Sequence, residues 1–82
     1  MKTFNFTNAD GYEFKLSISS EGDANGDIVE FYDVKHNQFV SSYYVRTVLQ
    51  HNGGRLCLQG GVPEWSVDAE SMRLVKDWLK TI

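Results

Sequence analysis

Three groups of residues in this 82-residue chain have types and spacing that bear on chemistry. The first is the acidic loop Glu21-Gly22-Asp23-Ala24-Asn25-Gly26-Asp27-Ile28. Oxygen-bearing residues stand at its first, third and fifth places, with glycine sixth and isoleucine eighth, as in a calcium-binding loop. The twelfth place, where a bidentate carboxylate belongs, is Tyr32, and the flanks read as strands where that motif needs helices. The loop therefore reads as a polar hairpin connection, and no cofactor is expected. The second group is His36, His51 and Cys57. No pair among them has metal-ligand spacing such as C-x2-C or H-x3-H. A thiolate nucleophile needs an adjacent imidazole and an orienting group, and the chain supplies no further pattern for one, so no enzyme is expected. The third group is Tyr43, Tyr44 and Arg46, a stacking platform for single-stranded nucleic acid if all three share an exposed sheet face. The glycines of Asn52-Gly53-Gly54-Arg55 and Gly60-Gly61 match neither phosphate-loop pattern and read as turns.

The elements that must position these groups are legible in the hydrophobic spacing. Phe4 and Phe6 alternate with Thr3, Asn5 and Thr7, and the alternation resumes at Tyr12, Phe14, Leu16 and Ile18. Period two predicts strands over about 3–8 and 12–20, with Glu13, Lys15, Ser17 and Ser19 on a wet face. Asp10-Gly11 supplies the turn. A third strand is predicted over 28–34, after the loop. The segment Phe39 to Gln50 has the β-branched and aromatic content of a strand, with Phe39, Tyr43, Val45 and Leu49 on one face. A helix ending at Asn52-Gly53, stacking Val40, Tyr44 and Val48, is the alternative. Leu56-Cys57-Leu58 reads as a short strand, and Gly60-Gly61-Val62-Pro63 breaks the chain before a helix that starts at Ser66 or Asp68. On that helix Met72, Leu74, Val75, Trp78, Leu79 and Ile82 fall on one arc at ~100° per residue. The expected fold is one α+β domain over 1–82, an antiparallel β-meander of four to five strands packed against one C-terminal α-helix.

Composition narrows the functional classes. The net charge is −3, and the eight basic residues are scattered apart from three on the last helix, which is a poor footprint for phosphate backbones. Between Asp10 and Asp33, by contrast, Asp10, Glu13, Glu21, Asp23, Asp27, Glu30 and Asp33 face a single Lys15. Such a stretch suits either solvated strand faces or a contact surface for a basic partner. One cysteine and no long apolar run point to a reducing, cytoplasmic setting without a membrane span.

The stretch Asn37 to Leu49, followed by Leu56-Cys57-Leu58-Gln59-Gly60-Gly61-Val62-Pro63-Glu64-Trp65 and Asp68-Ala69-Glu70-Ser71-Met72, resembles short uncharacterised proteins of bacterial phages and other mobile elements. Asn37 stands where that pattern has glycine. The resemblance covers the C-terminal half and carries no catalytic or ligand residue. It implies a small accessory or inhibitor protein that binds and blocks a host protein, including defence complexes that target nucleic acid. Combined with the acidic stretch, the expectation is a non-enzymatic protein-binding module that meets a basic host surface through Glu21, Asp23, Asp27, Glu30, Asp33, Tyr43 and Tyr44. Nucleic acid is the less favoured partner, and pairing of an edge strand with a second copy is a further option.

Overall fold

The computed structural model describes residues 2–19, 26–52, 54–58 and 65–82. Strands β1 (Thr3–Thr7), β2 (Glu13–Ser19), β3 (Ile28–Asp33) and β4 (Gln38–Tyr44) form one antiparallel meander in the order β1-β2-β3-β4. The chain then turns directly into α1 (Val45–Gln50). Strands β5 (Leu56–Cys57) and β6 (Ser66–Val67) make a separate two-stranded pair, and α2 (Ala69–Leu79) closes the fold. The α+β architecture is the expected one, with four strands in the main sheet.

Local chemistry explains the hairpin β1–β2. Gly11 has φ 87°, a value that favours glycine. Asn8 fills the turn from within: its side-chain oxygen accepts from the N–H groups of Asp10 (3.0 Å) and Tyr12 (2.9 Å). Its amide nitrogen donates to the Ser66 carbonyl at 3.0 Å, tying the turn to β6. At the β3–β4 turn Asn37 has φ 48°, the left-handed conformation for which glycine is the first choice and asparagine the usual second. Among the described residues Asn37 is the one non-glycine with positive φ.

The core lies between one sheet face and the helices. Phe6, Phe14, Leu16, Val29, Phe31 and Val40 come from the sheet, Val48 from α1, and Met72, Val75 and Leu79 from α2, with Leu58 and Val67 closing one end. The apolar arc expected on the last helix is narrower than the sequence suggests. Leu74 is 47 % exposed and Ile82 43 % exposed, while Ser71 is buried in their place. Leu74 lies ~100° around the helix from Val75, which points straight into the core, so it falls past the contact. Asp68 is the N-cap, accepting from the Ser71 N–H at 3.2 Å and the Ser71 hydroxyl at 2.8 Å. The same carboxylate accepts from the Ala9 N–H at 2.9 Å and so fixes α2 to the β1–β2 turn.

Residues 39–50 are strand and then helix, so the expected continuous strand is corrected at Val45. Val45 N–H donates to the Asp27 carbonyl at 2.9 Å, the last main-chain bond tying this segment to the β3 side before the helix begins. A bulge precedes it. Phe31 pairs with Ser41 and Tyr32 with Phe39, leaving Val40 as the extra residue. The bulge sends Val40 into the core and Phe39, 48 % exposed, to the other face. The expectation that Phe39 and Tyr43 share a face fails for this reason.

Candidate interaction surface

Strand register assigns the candidate residues that lie in strands, Glu30, Asp33, Tyr43 and Tyr44, to a face. On the core face Phe14 lies opposite Asp33, Leu16 opposite Phe31, Ile18 opposite Val29, and Val29 opposite Tyr43. On the open face the rows are Asn5–Lys15–Tyr32–Phe39, Thr3–Ser17–Glu30–Ser42 and Ser19–Ile28–Tyr44, and on it Ser17, expected to be wet, is buried. Among the described residues no helix packs on this second face.

The seven expected binding residues separate accordingly. Glu21 and Asp23, with most of the calcium-like loop, lie outside the described residues. Asp27 is exposed, and Glu30 is half-buried at the centre of the open face between Ser17 and Ser42. Tyr44 is on the open face and Arg46 lies over its ring, 5.8 Å from the centroid.

Asp33 is a correction. It is 1 % exposed and belongs to the fold, not to an acidic surface. Its carboxylate accepts from the Lys35 N–H at 3.0 Å and meets His36 Nδ1 at 2.7 Å, closing the β3–β4 turn. Burial opposes its ionisation, but the His36 side chain and the N–H groups of His36 and Lys35 together outweigh burial and hold its pKa below the ordinary 3.8. Tyr43 is the second correction. Its ring meets Phe31 edge-on, centroids 6.2 Å apart, and its hydroxyl donates to the Cys57 carbonyl at 2.9 Å. Tyr43 therefore joins the sheet to β5, and the platform of two adjacent tyrosines does not exist. Adjacent strand residues point to opposite faces.

The structure instead gathers residues that spacing alone did not single out. Tyr32 and Phe39 meet edge to face with centroids 5.7 Å apart, and Lys15 Nζ lies 5.5 Å from the Tyr32 centroid. Beside Tyr44, a shallow hollow of about 300 Å³ is lined by Ile28, Ser42, Tyr43 and Thr47. The open face is thus an aromatic patch, Tyr32, Phe39 and Tyr44, carrying Lys15 and Arg46 over two of its rings and Glu30 in its middle. Both parities of β3 being apolar was the available signal for Tyr32. Phe39 had none, because its face depends on the bulge.

The remaining candidates disperse. His36 belongs to the β3–β4 turn, His51 follows α1 and accepts a bond from Lys76 on its carbonyl, and Cys57 is exposed on β5. Among the described residues no group of three or more His, Cys, Asp or Glu is placed to hold a metal ion, and no helix is long and apolar enough to cross a membrane. In comparison with known proteins, no family model, curated protein or solved structure matches the chain.

Proposed function

We propose that this chain is a non-enzymatic protein-binding module whose contact surface is the open face of its sheet. The observation that supports the reading is Phe39, a large apolar side chain half in water and braced by Tyr32 on a face that no described helix covers. An aromatic anchor of this kind gains free energy only when something else covers it. Tyrosine and arginine beside it are the other residue types that concentrate binding energy in interfaces. Glu30 at the centre and exposed Asp27 at the rim favour a partner with basic groups. The resemblance of the C-terminal half to phage and mobile-element proteins fits an accessory or inhibitor that acts by occupying a host protein.

Tagged protein, its Phe39→Ser variant and its Glu30→Lys variant, used to capture binders from lysate of the natural host, test this reading. A partner held by the parent chain and lost by both variants, at unchanged melting temperature, is the expected result. Retention by both variants overturns the choice of surface.

The two cation-over-ring pairs favour a second reading, stacking of single-stranded nucleic acid on Tyr32, Phe39 and Tyr44. Binding to an oligonucleotide at low salt, lost on raising the salt, is its signature, and silence at low salt eliminates it.

A further inference from the structure

A different surface of the molecule, the outer edge of β1 and the flank of α2 above it, is built to match itself. The even-numbered residues of β1 bond to β2: Ile18 N–H donates to the Lys2 carbonyl and Asn8 N–H to the Tyr12 carbonyl, and the register carries this through Phe4 and Phe6. The N–H and C=O groups of Thr3, Asn5 and Thr7 therefore point outward. The Ser71 hydroxyl, whose proton goes to Asp68 at 2.8 Å, lies 3.4 Å from the Thr7 carbonyl, and the neighbouring Ala9 N–H donates to Asp68, which confirms the direction. Thr3 and Asn5 have no main-chain partner on that edge among the described residues. The edge also lacks the devices that keep such strands apart: Thr3–Thr7 contains no charge, no proline and no bulge.

We infer that β1 pairs antiparallel with β1 of a second copy of this chain about a two-fold axis at Phe4, giving one continuous sheet. In that register Thr3 and Asn5 of one copy exchange both main-chain bonds with Asn5 and Thr3 of the other. The pairing stops where α2 lies against Thr7.

The helices match in the same register. Phe4 stacks on Trp78 with centroids 5.3 Å apart, and Thr7 meets Ser71, so α2 runs antiparallel to β1. Three strand residues and seven helix residues each span roughly 10 Å, which puts Leu74 between the levels of Asn5 and Phe6 and Ile82 near that of Lys2. Ile82 and Lys2 indeed line one hollow. A two-fold at Phe4 then sets Trp78 against Trp78 and the exposed Leu74 level with the exposed Ile82 of the second copy. The two exposed apolar residues of the C-terminal segment thus cover each other, in a chain whose net negative charge is carried elsewhere.

Light scattering on the intact chain tests the inference. A mass near twice 9.4 kDa is expected, falling to 9.4 kDa in the Asn5→Pro variant. Proline there removes an outward N–H and the exposed side-chain bond to Glu13, and leaves the main-chain bonds to β2 intact. A folded Leu74→Asp variant is expected to weaken the dimer as well. Should Asn5→Pro fail to fold, amide exchange of the parent chain decides: Thr3 and Asn5 are expected to gain about tenfold or more protection on concentration. A monomer at every concentration up to roughly 0.5 mM overturns the inference. A dimer that persists in folded Asn5→Pro, or one that leaves Thr3 and Asn5 unprotected, overturns it equally.

Discussion

The two faces of the one sheet carry similar residues and put them to opposite uses. On the core face Phe31 is fully buried, and Tyr43 meets its ring edge-on and bonds to β5. Phe39 and Tyr44 on the open face have the same chemistry, but Phe39 is half in water and Tyr44 lies under the Arg46 side chain of α1. The acids divide likewise, with Asp33 buried among turn donors and Glu30, three residues away, on the open face. Residue type therefore says little about role in this chain. Strand parity, altered once by the bulge at Val40, decides it.

Paired substitutions on the two faces sharpen this contrast. Phe31→Ala is expected to cost about 3–5 kcal/mol in urea unfolding, as for a fully buried ring, and Phe39→Ala within ~0.5 kcal/mol of zero. Equal effects would mean that the open face is covered after all. Asp33→Ala is expected to cost about 1–3 kcal/mol, since it removes the carboxylate's bonds to the Lys35 N–H and the His36 ring, whereas Glu30→Ala should be close to neutral.

The acid limb of stability separates the faces by another route. At Asp68, as at Asp33, burial opposes ionisation but is outweighed, here by the Ser71 hydroxyl and the Ala9 and Ser71 N–H groups, so both carboxyls have folded pKa values below 3.8. Below the unfolded value the unfolded chain binds more protons than the folded one. The stability these groups contribute is therefore complete well above pH 3.8 and is lost as the pH falls from there through the folded values. Melting temperatures measured between neutral pH and acid should show a shallower acid loss in Asp33→Asn and in Asp68→Asn than in the parent chain. An unchanged slope in both would remove these carboxylates from the account of acid stability. The smallest effect is that of Tyr43→Phe, expected to cost about 1 kcal/mol through the Cys57 bond.

Much of the scaffold was readable in advance, and the candidate site only in part. The β1–β2 hairpin, β3 and the Asp68-capped helix rest on spacing and turn residues within a few positions of one another. Of the expected contact residues Asp27 is exposed, while Glu30 and Tyr44 are half-buried on the second face. Asp33 and Tyr43 were misplaced because an acid next to a turn and a tyrosine in a strand look the same from sequence whether buried or not. Lys15, Tyr32 and Phe39 come together across three strands, a pairing that no local pattern contains.

By itself the sequence determined the period-two strands, the Asp10-Gly11 turn and the amphipathic helix with its cap, because backbone sterics, side-chain direction and capping act over a few residues. Only the tertiary structure decided which parity faces the helices, where β4 bulges and turns into α1, and which edge and which aromatics remain uncovered. Those outcomes depend on the free energy of burying residues far apart in the chain against one another, and that balance exists only once the sheet and helices have met.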